Sequence, residues 1–229
     1  MKTSKKIAIN ATIFNNQESG AKRRFVSIYQ ELLNIKNNNY YYIYMPKDCD
    51  IKKFFKLKYN NTKFIKTNFN SNSFFQRFFL GLFFWKQELK KIRPDIFETY
   101  TLPLIKSPFG KTFLTIHDIR YLKFPKFYSW FRAIFAKYIL LNALMKSNMI
   151  IVVSETIKNE IKYYSSDANI KVIYNPLQFN LKNRYIKKKI KNNFILTVGI
   201  VEKRKNYLRL IYALELLIFL GIKINVIIV

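Results

Sequence analysis

Short apolar runs alternate with longer segments of helical periodicity along the whole chain. This alternation is typical of α/β proteins, because each pair of parallel strands needs a crossover connection that is usually a helix. Seven strands are predicted before residue 175, at 6–13, 40–45, 63–67, 95–100, 112–117, 149–153 and 171–174. The pattern predicts a Rossmann-like domain with a parallel sheet and helices between its strands.

A polar and basic segment at 177–193 interrupts this pattern and contains few residues suited to a core. Segments of this kind commonly separate domains. We therefore predict an N-terminal Rossmann-like domain over 1–185 and the start of a second domain over 186–229. The prediction for the second domain is one strand at 194–198, one helix, and a buried strand within 223–229.

The helix of the second domain has an apolar stripe at three- and four-residue steps, as expected of a helix with one face in a core. The stripe consists of Tyr207, Leu210, Ile211, Leu214, Leu217 and Ile218. Two strands and one helix bury too little surface to offset the loss of chain entropy. The sequence therefore predicts that the second domain is incomplete, as in a truncated copy, a fragment or a split reading frame.

Composition narrows the possible partners only slightly. With 41 Lys and Arg against 13 Asp and Glu, the formal charge is +28, which suits nucleic acid, anionic lipid or a nucleotide diphosphate. The cations are spread along the chain, so a compositional bias such as that of an AT-rich genome is the first explanation. The single cysteine, Cys49, forms no internal disulfide, and the first ten residues lack a signal-peptide core. We expect a cytoplasmic protein.

The stretch from residue 197 to 214 places a strand, Gly199, a group of cations and an amphipathic helix in succession. A strand that leads through a short loop into a helix directs backbone N–H groups and the positive helix end toward one place, where anions bind. Arg204 and Lys205 lie at that positive end, where cations are unfavourable for the helix itself. An external anion offsets this cost, although a solvated basic turn explains the residues equally well.

Three further positions stand out near predicted strand ends. His117 is the only histidine and follows a strand at its carboxyl end, where open α/β sheets bind ligands. Its neighbour Asp118 also favours a structural role, because a nearby carboxylate readily satisfies an imidazole. Ser154 is predicted to cap the helix that begins at Glu155. Gly20 lies between the first strand and the next helix, where the backbone can approach a ligand.

Three blocks carry a resemblance to a known family. "TIHDIRYLKFPKFYSWF" resembles the His-Asp segment of retaining glycosyltransferases of family 4, which have the two-domain GT-B fold. "MIIVVSETIKNEI" followed by "KVIYNP" is similar to that family's Ser-containing strand and helix and the strand that closes the first domain. "ILTVGIVEKRKNYLRLIYAL" looks like the start of its nucleotide-sugar domain. The blocks lie in the family's order and cover about 112–220.

The resemblance implies a transferase of polysaccharide biosynthesis, with the N-terminal domain on the acceptor side. Such an enzyme moves a sugar from a nucleotide-diphosphate donor to a glycan or lipid-linked acceptor, with retention, and needs neither a metal nor a cofactor. It implies that Arg204 and Lys205 bind the donor diphosphate and that His117 lies near the transferred sugar. Asp118 and Ser154 belong to the same cleft by this resemblance, and Gly20 and Gly199 belong to substrate loops. The usual second glycine of the first loop is Lys22 here.

One family feature is absent from this sequence. The family carries two glutamates, separated by seven residues, late in its second domain, and the chain ends before that region. We therefore expect this chain on its own not to catalyse transfer.

Three other interpretations remain at this stage. Asp48 and Asp50 form an Asp-x-Asp motif after a strand, the pattern by which single-domain glycosyltransferases hold a divalent ion, but they also suit a helix start. A basic nucleic-acid-binding protein and an inactive remnant with only a membrane or partner surface are the other two. Independently of these alternatives, we predict peripheral contact with the cytoplasmic face of the membrane, because cations occur throughout the chain and a set of apolar residues recurs at helical steps. Packing of this helix on the sheet explains the same pattern equally well. The set consists of Phe74, Phe75, Phe78, Phe79, Leu82 and Phe83.

Overall fold

In the computed structural model, residues 4–55, 59–176, 194–199, 201, 205–222 and 224–229 are described. The chain splits into two compact units, Met1–Gln178 and Phe179–Val229. The predicted boundary at 185 stays a prediction, because residues 177–193 lie outside the described part of the chain.

The first unit is built on one seven-stranded sheet. All of its neighbouring strands are parallel, and their order is β3-β2-β1-β4-β5-β6-β7. The strands are β1 Lys6–Asn10, β2 Tyr40–Met45, β3 Thr62–Lys66, β4 Ile96–Thr99, β5 Lys111–Ile116, β6 Met149–Val152 and β7 Ile170–Val172. Each overlaps a strand predicted from the apolar pattern, so the predicted parallel α/β fold is confirmed.

Helices connect these strands. They are α1 Gly20–Asn34, α2 Gly81–Ile92, α3 Arg120–Lys123, α4 Trp130–Lys146 and α5 Glu155–Tyr164. A π-helical segment, Gln76–Leu80, leads directly into α2, and 3-10 turns cover Ile51–Lys53 and Pro125–Phe127. Serine side chains cap two helix starts: Ser19 accepts the Lys22 N–H at 3.2 Å and Ser154 accepts the Ile157 N–H at 3.3 Å. The predicted cap at Ser154 is therefore confirmed.

Both faces of the sheet are covered, as parallel sheets require. On one face, Phe25 and Tyr29 of α1 pack against Ile9 and Ile43. On the opposite face, Trp85 and Leu89 of α2 pack with Ala8, Tyr44 and Phe97. A third cluster joins α4 and α5 to the last strands: Leu114, Ile116, Ile119, Leu140, Ala143, Leu144, Ile150, Val152 and Ile161.

The order of the strands determines where a ligand binds. From β1 the chain moves outward to β2 and β3, then crosses to β4 on the other side of β1 and continues outward to β7. The connections on the two sides of this β1–β4 pair diverge, which leaves a crevice beyond the carboxyl ends of the strands. This point of reversal is the expected ligand site of the first unit.

The second unit contains β8 Phe194–Thr197, α6 Tyr207–Phe219 and β9 Asn225–Ile228, with β8 and β9 paired in parallel in a separate sheet. Of the six predicted stripe residues on α6, Tyr207, Leu210, Leu214 and Leu217 are partly covered. Ile211 and Ile218 are 52% and 68% exposed, and none of the described residues of α6 is fully buried.

Candidate functional site

The floor of the crevice at β1 and β4 is a buried polar cluster. The Asn10 amide donates to Thr101 Oγ1 at 3.0 Å, and the Thr12 hydroxyl donates to Asn10 Oδ1 at 2.7 Å. The Thr99 and Thr101 hydroxyls are also 3.0 Å apart. Because these groups satisfy one another, they fix the backbone where β1 and β4 end.

His117 follows directly after β5, at the carboxyl edge of the sheet, as the sequence predicted. Its ring stacks against that of Tyr100, with centroids 6.3 Å apart and an interplanar angle of 27°. Its Nε2 is buried and has no hydrogen-bond partner among the described residues. Burial, and after it the positive charge of Arg24, lower the pKa of His117 to about 4, against an opposing effect of Asp118. At neutral pH the imidazole is therefore uncharged, with one nitrogen free for a ligand.

Arg24 is a site residue that sequence reasoning missed. It lies on α1 and is only 3% exposed. Its Nη2 donates to the Ile173 carbonyl at 3.1 Å, just beyond β7, while its Nε has no partner within the described part of the chain. A buried guanidinium with an unsatisfied N–H is costly, so it either positions other groups or binds a ligand. The sequence offers little signal for it, because a mid-helix arginine in a lysine-rich chain suggests a solvated face.

Glu98 lies next to Tyr100, the residue whose ring stacks on His117. It lies on β4, where its carboxylate accepts hydrogen bonds from Tyr29 and from the Thr115 hydroxyl, the latter at 2.8 Å. Burial first, and then the charge of Glu98, raise the pKa of both Tyr29 and Tyr100. The tyrosines therefore keep their protons, and the cluster holds the ring of Tyr100 against His117.

The remaining predicted residues of the first unit have different surroundings. Asp118 pairs with Arg120 at 2.9 Å and accepts the Arg120 N–H at 3.2 Å, so it also supports the turn into α3. Ser154 caps α5, and this role occupies its side chain. At Gly20, a Cβ atom would meet no heavy atom within 4 Å. The packing of the first unit therefore does not require glycine there, and the role of Gly20 in a substrate loop stays a prediction.

The Asp-x-Asp motif has structural partners. Asp48 accepts the Ser71 N–H at 2.9 Å and the Ser71 hydroxyl at 2.6 Å, and Asp50 caps the 3-10 turn by accepting the Lys52 N–H. Among the described residues, no group of three or more His, Cys, Asp or Glu side chains is placed to hold a metal ion. The contact of Asp50 supports the helix-start interpretation of the motif, whereas the contacts of Asp48 hold the segment at Ser71.

The strand-loop-helix of the second unit is only partly described. Arg204 lies outside the described residues. The Tyr207 hydroxyl donates to the Gly199 carbonyl at 2.9 Å, which closes the loop between β8 and α6. A Cβ atom on Gly199 would lie 3.4 Å from Lys205 Cε, so the lysine stem runs beside this glycine. Gly199 and the side chain of Lys205 are therefore adjacent, and the anion-binding role of this loop stays a prediction.

The buried histidine predicts a pH dependence of stability. The pKa of His117 is about 4 in the folded protein and about 6.5 when exposed, so the unfolded chain binds more protons between these values. Its contribution is fully present above pH 6.5 and is lost as the pH falls toward 4. We expect a loss on the order of 2 kcal/mol after allowance for partial exposure.

Urea unfolding of the parent and of His117→Gln, from pH 7.5 to pH 4, measures the contribution of His117 to stability. The parent should lose more stability than the variant over this range, since only the parent gains a proton at residue 117 on unfolding. Identical pH profiles would contradict the depressed pKa.

Comparison of the sequence with known proteins gives a family match over the part of the chain that contains this site. The profile of glycosyltransferase family 4 matches residues 20–180, more than two thirds of the chain, and this range includes Gly20, Arg24, His117 and Ser154. The O-antigen chain mannosyltransferase RfbU of Salmonella typhimurium is 32% identical over 109 residues. This alignment covers 47% of the chain and 28% of the relative, so the chain matches little more than a quarter of the length of that protein.

Proposed function

Because this chain belongs to glycosyltransferase family 4, we propose that it serves the transfer of a sugar from a nucleotide-diphosphate donor to a glycan or lipid-linked acceptor. The observation that carries the proposal is His117: an uncharged imidazole with a buried, unpartnered Nε2 at the carboxyl edge of a parallel sheet. Such a nitrogen suits a hydrogen bond to a sugar hydroxyl. The unsatisfied Nε of Arg24, whose charge acts on His117, supports a ligand in the same region.

In this proposal the diphosphate is held by Arg204 and Lys205. Fixed cations stabilise the negative charge that develops on the diphosphate as the glycosidic bond breaks, which is the role a metal ion plays in other transferases. The position of Lys205 beside Gly199 supports this assignment. The proposal also includes transfer with retention of configuration and without a metal or cofactor. It further includes a cytoplasmic location at the inner face of the membrane. A mannose donor is the first to test, given the similarity to a mannosyltransferase.

Removal of either cation should weaken nucleotide binding. Each charge-assisted contact to phosphate contributes about 1.5–3 kcal/mol, so Arg204→Ala and Lys205→Ala should each raise the Kd for a nucleoside diphosphate by roughly ten- to a hundredfold. Titration calorimetry with UDP, GDP and ADP measures the effect. Arg209→Ala is the matched control, because Arg209 is an exposed cation of α6, four residues beyond Lys205.

The titrations are run on the 229-residue chain and on the chain joined to the second domain of a similar glycosyltransferase. Unchanged affinity in both cation variants would mean that Arg204 and Lys205 form only a solvated turn. A duplex DNA of mixed sequence serves as a further ligand, since tight, strongly salt-dependent binding of DNA would favour the nucleic-acid-binding alternative.

A further inference from the structure

Two helical segments of the first unit expose large apolar side chains. The segment from residue 74 through the start of α2 exposes Phe74, Phe75, Phe79, Leu80, Leu82 and Phe83. The first half of α4 exposes Trp130, Phe131, Ile134, Phe135 and Tyr138, which line a shallow apolar groove. The rings of Phe74 and Phe135 lie 6.4 Å apart in an edge-on arrangement, so the two sets form one surface. We call these eleven residues the aromatic face.

The aromatic face lies outside the protein core. Each helix already buries a different side: Trp85, Leu89 and Ile92 of α2, and Leu140, Ala143 and Leu144 of α4. Phe83, Trp130 and Phe131 are 74%, 72% and 69% exposed. Monomeric soluble proteins rarely leave contiguous apolar surface of this kind without a partner. Packing on the sheet, the alternative raised by the sequence, therefore accounts for Trp85 and Leu89 but leaves the aromatic face without a partner.

The charged residues within the two chain segments that contain the aromatic face have one sign. No Asp or Glu occurs at residues 51–87 or 119–154, the two segments that contain the face, whereas these segments contain eight and six Lys or Arg respectively. Lys86, Arg132 and Lys137 lie on the same helices and are exposed. A surface with apolar side chains at its centre and only cations in the surrounding sequence is complementary to an anionic lipid surface.

Two other partners fit less well. Single-stranded nucleic acid stacks on aromatic rings, but the aliphatic side chains of Leu80, Leu82 and Ile134 give bases nothing to stack on. A second copy of the chain would place these cation-rich segments against one another, which opposes association. A bilayer accepts both the aliphatic and the aromatic members, with Trp130 and Tyr138 suited to the headgroup level.

We propose that the aromatic face docks the protein on an anionic bilayer, with α4 and the segment leading into α2 lying in the interface together. This mode of docking is peripheral, because the aromatic face lies on the surface of the first unit. No described helix is long and apolar enough to cross a bilayer. Docking is independent of sugar transfer, so its test needs neither donor nor acceptor.

Sedimentation of the 229-residue chain with vesicles tests the proposal. Vesicles are of phosphatidylcholine alone or of phosphatidylcholine mixed with phosphatidylglycerol, and the proportion of anionic lipid is varied. The chain should partition onto vesicles more strongly as the anionic fraction rises, and added salt should weaken this binding.

Two double variants separate the apolar contribution to membrane binding from the electrostatic one. Phe131→Ser with Ile134→Ser should lower the partition coefficient by roughly tenfold or more at every lipid composition, since both side chains leave the apolar phase. Arg132→Gln with Lys137→Gln should lower binding to the anionic vesicles by about tenfold and leave the weak binding to neutral vesicles nearly unchanged. Tyr163→Ser is the matched control, because Tyr163 is 85% exposed on α5, outside the aromatic face. All of these side chains are exposed, so thermal melts of the variants should match the parent.

Two results would overturn the proposal. One is equal binding of the parent, the Phe131/Ile134 variant and the Arg132/Lys137 variant to anionic vesicles. The other is a concentration-dependent dimer in sedimentation velocity without vesicles that the Phe131/Ile134 variant loses, which would make the aromatic face an interface between copies.

Discussion

Replacing His117 by alanine is expected to lower kcat/KM for sugar transfer by about 100- to 1000-fold, the usual cost of a fixed hydrogen bond that stabilises a transition state. The expectation rests on the unpartnered, buried Nε2 and on the cluster that holds the ring in place. Tyr100 stacks on the imidazole, and Glu98 lies among Tyr29, Tyr100 and Thr115 beside it. A group held this rigidly loses little entropy when it binds a ligand, so its hydrogen bond acts at nearly full strength.

Initial rates measure this effect, in whichever form of the protein turns over. The donor is the mannose derivative of the nucleoside diphosphate that binds in calorimetry. His117→Gln should recover part of the lost activity, because its amide replaces one hydrogen bond of the ring. Asp167→Asn is the control, since Asp167 contacts only Ser166 among its described hydrogen-bond partners. A His117→Ala variant with parental kcat/KM would remove His117 from the site and leave it a structural residue.

Comparing the activity and the stability of the two histidine variants also separates a role in sugar transfer from support of the fold. If His117 only supported the fold, His117→Gln and His117→Ala would both raise the rate of unfolding and lose activity together. A role in transfer instead lowers kcat/KM while urea unfolding at pH 7.5 stays close to that of the parent.

Replacing Trp85 by alanine is expected to lower the free energy of unfolding by about 3–5 kcal/mol. Trp85 is 2% exposed, and its ring lies 4.7 Å from that of Tyr44 and 5.1 Å from that of Phe97. It therefore joins α2 to β2 and β4, and its removal leaves a cavity that these strands fill only in part. Trp85 also lines a small cavity with Asn10 and Thr101. The substitution should therefore also disturb the polar cluster on the floor of the crevice.

Trp130 provides a matched comparison, because the chain contains only these two tryptophans. Trp130 is 72% exposed, so Trp130→Ala should change the free energy of unfolding by less than about 0.5 kcal/mol. Urea unfolding of both variants measures the difference, and vesicle sedimentation should show the opposite order of effects. Similar destabilisation by the two substitutions would mean that Trp130 belongs to the core and not to the aromatic face.

Local patterns account for the parts of the fold that were predicted correctly. Apolar runs such as Met149–Val152 predict buried strands, because a strand covered on both faces needs a nearly continuous set of apolar residues. Ser154 predicts a helix start, because a capping side chain acts within three residues of itself. His117 was placed correctly because the end of a strand is readable from the change in pattern after it.

Other features depend on contacts between distant positions. Arg24 reaches the Ile173 carbonyl 149 residues away, and Tyr29 and Glu98 are 69 residues apart. Neither pair has a local signature, since each residue taken alone resembles many others in the chain. The aromatic face belongs to the same class: the sequence indicated its first half, but the contact between Phe74 and Phe135 joins segments about 60 residues apart.

The sequence by itself determined the class of fold, the family and the strand end that carries His117, because short-range patterns of apolar residues, caps and motifs encode them. Only the tertiary structure decided the order of the strands, and with it the crevice at β1 and β4 where Asn10 and Thr101 meet. It also decided that the guanidinium of Arg24 is buried near His117 and that α4 presents its aromatic side chains to solvent. These outcomes follow from which helix covers which part of the sheet, and that depends on the packing of the whole unit.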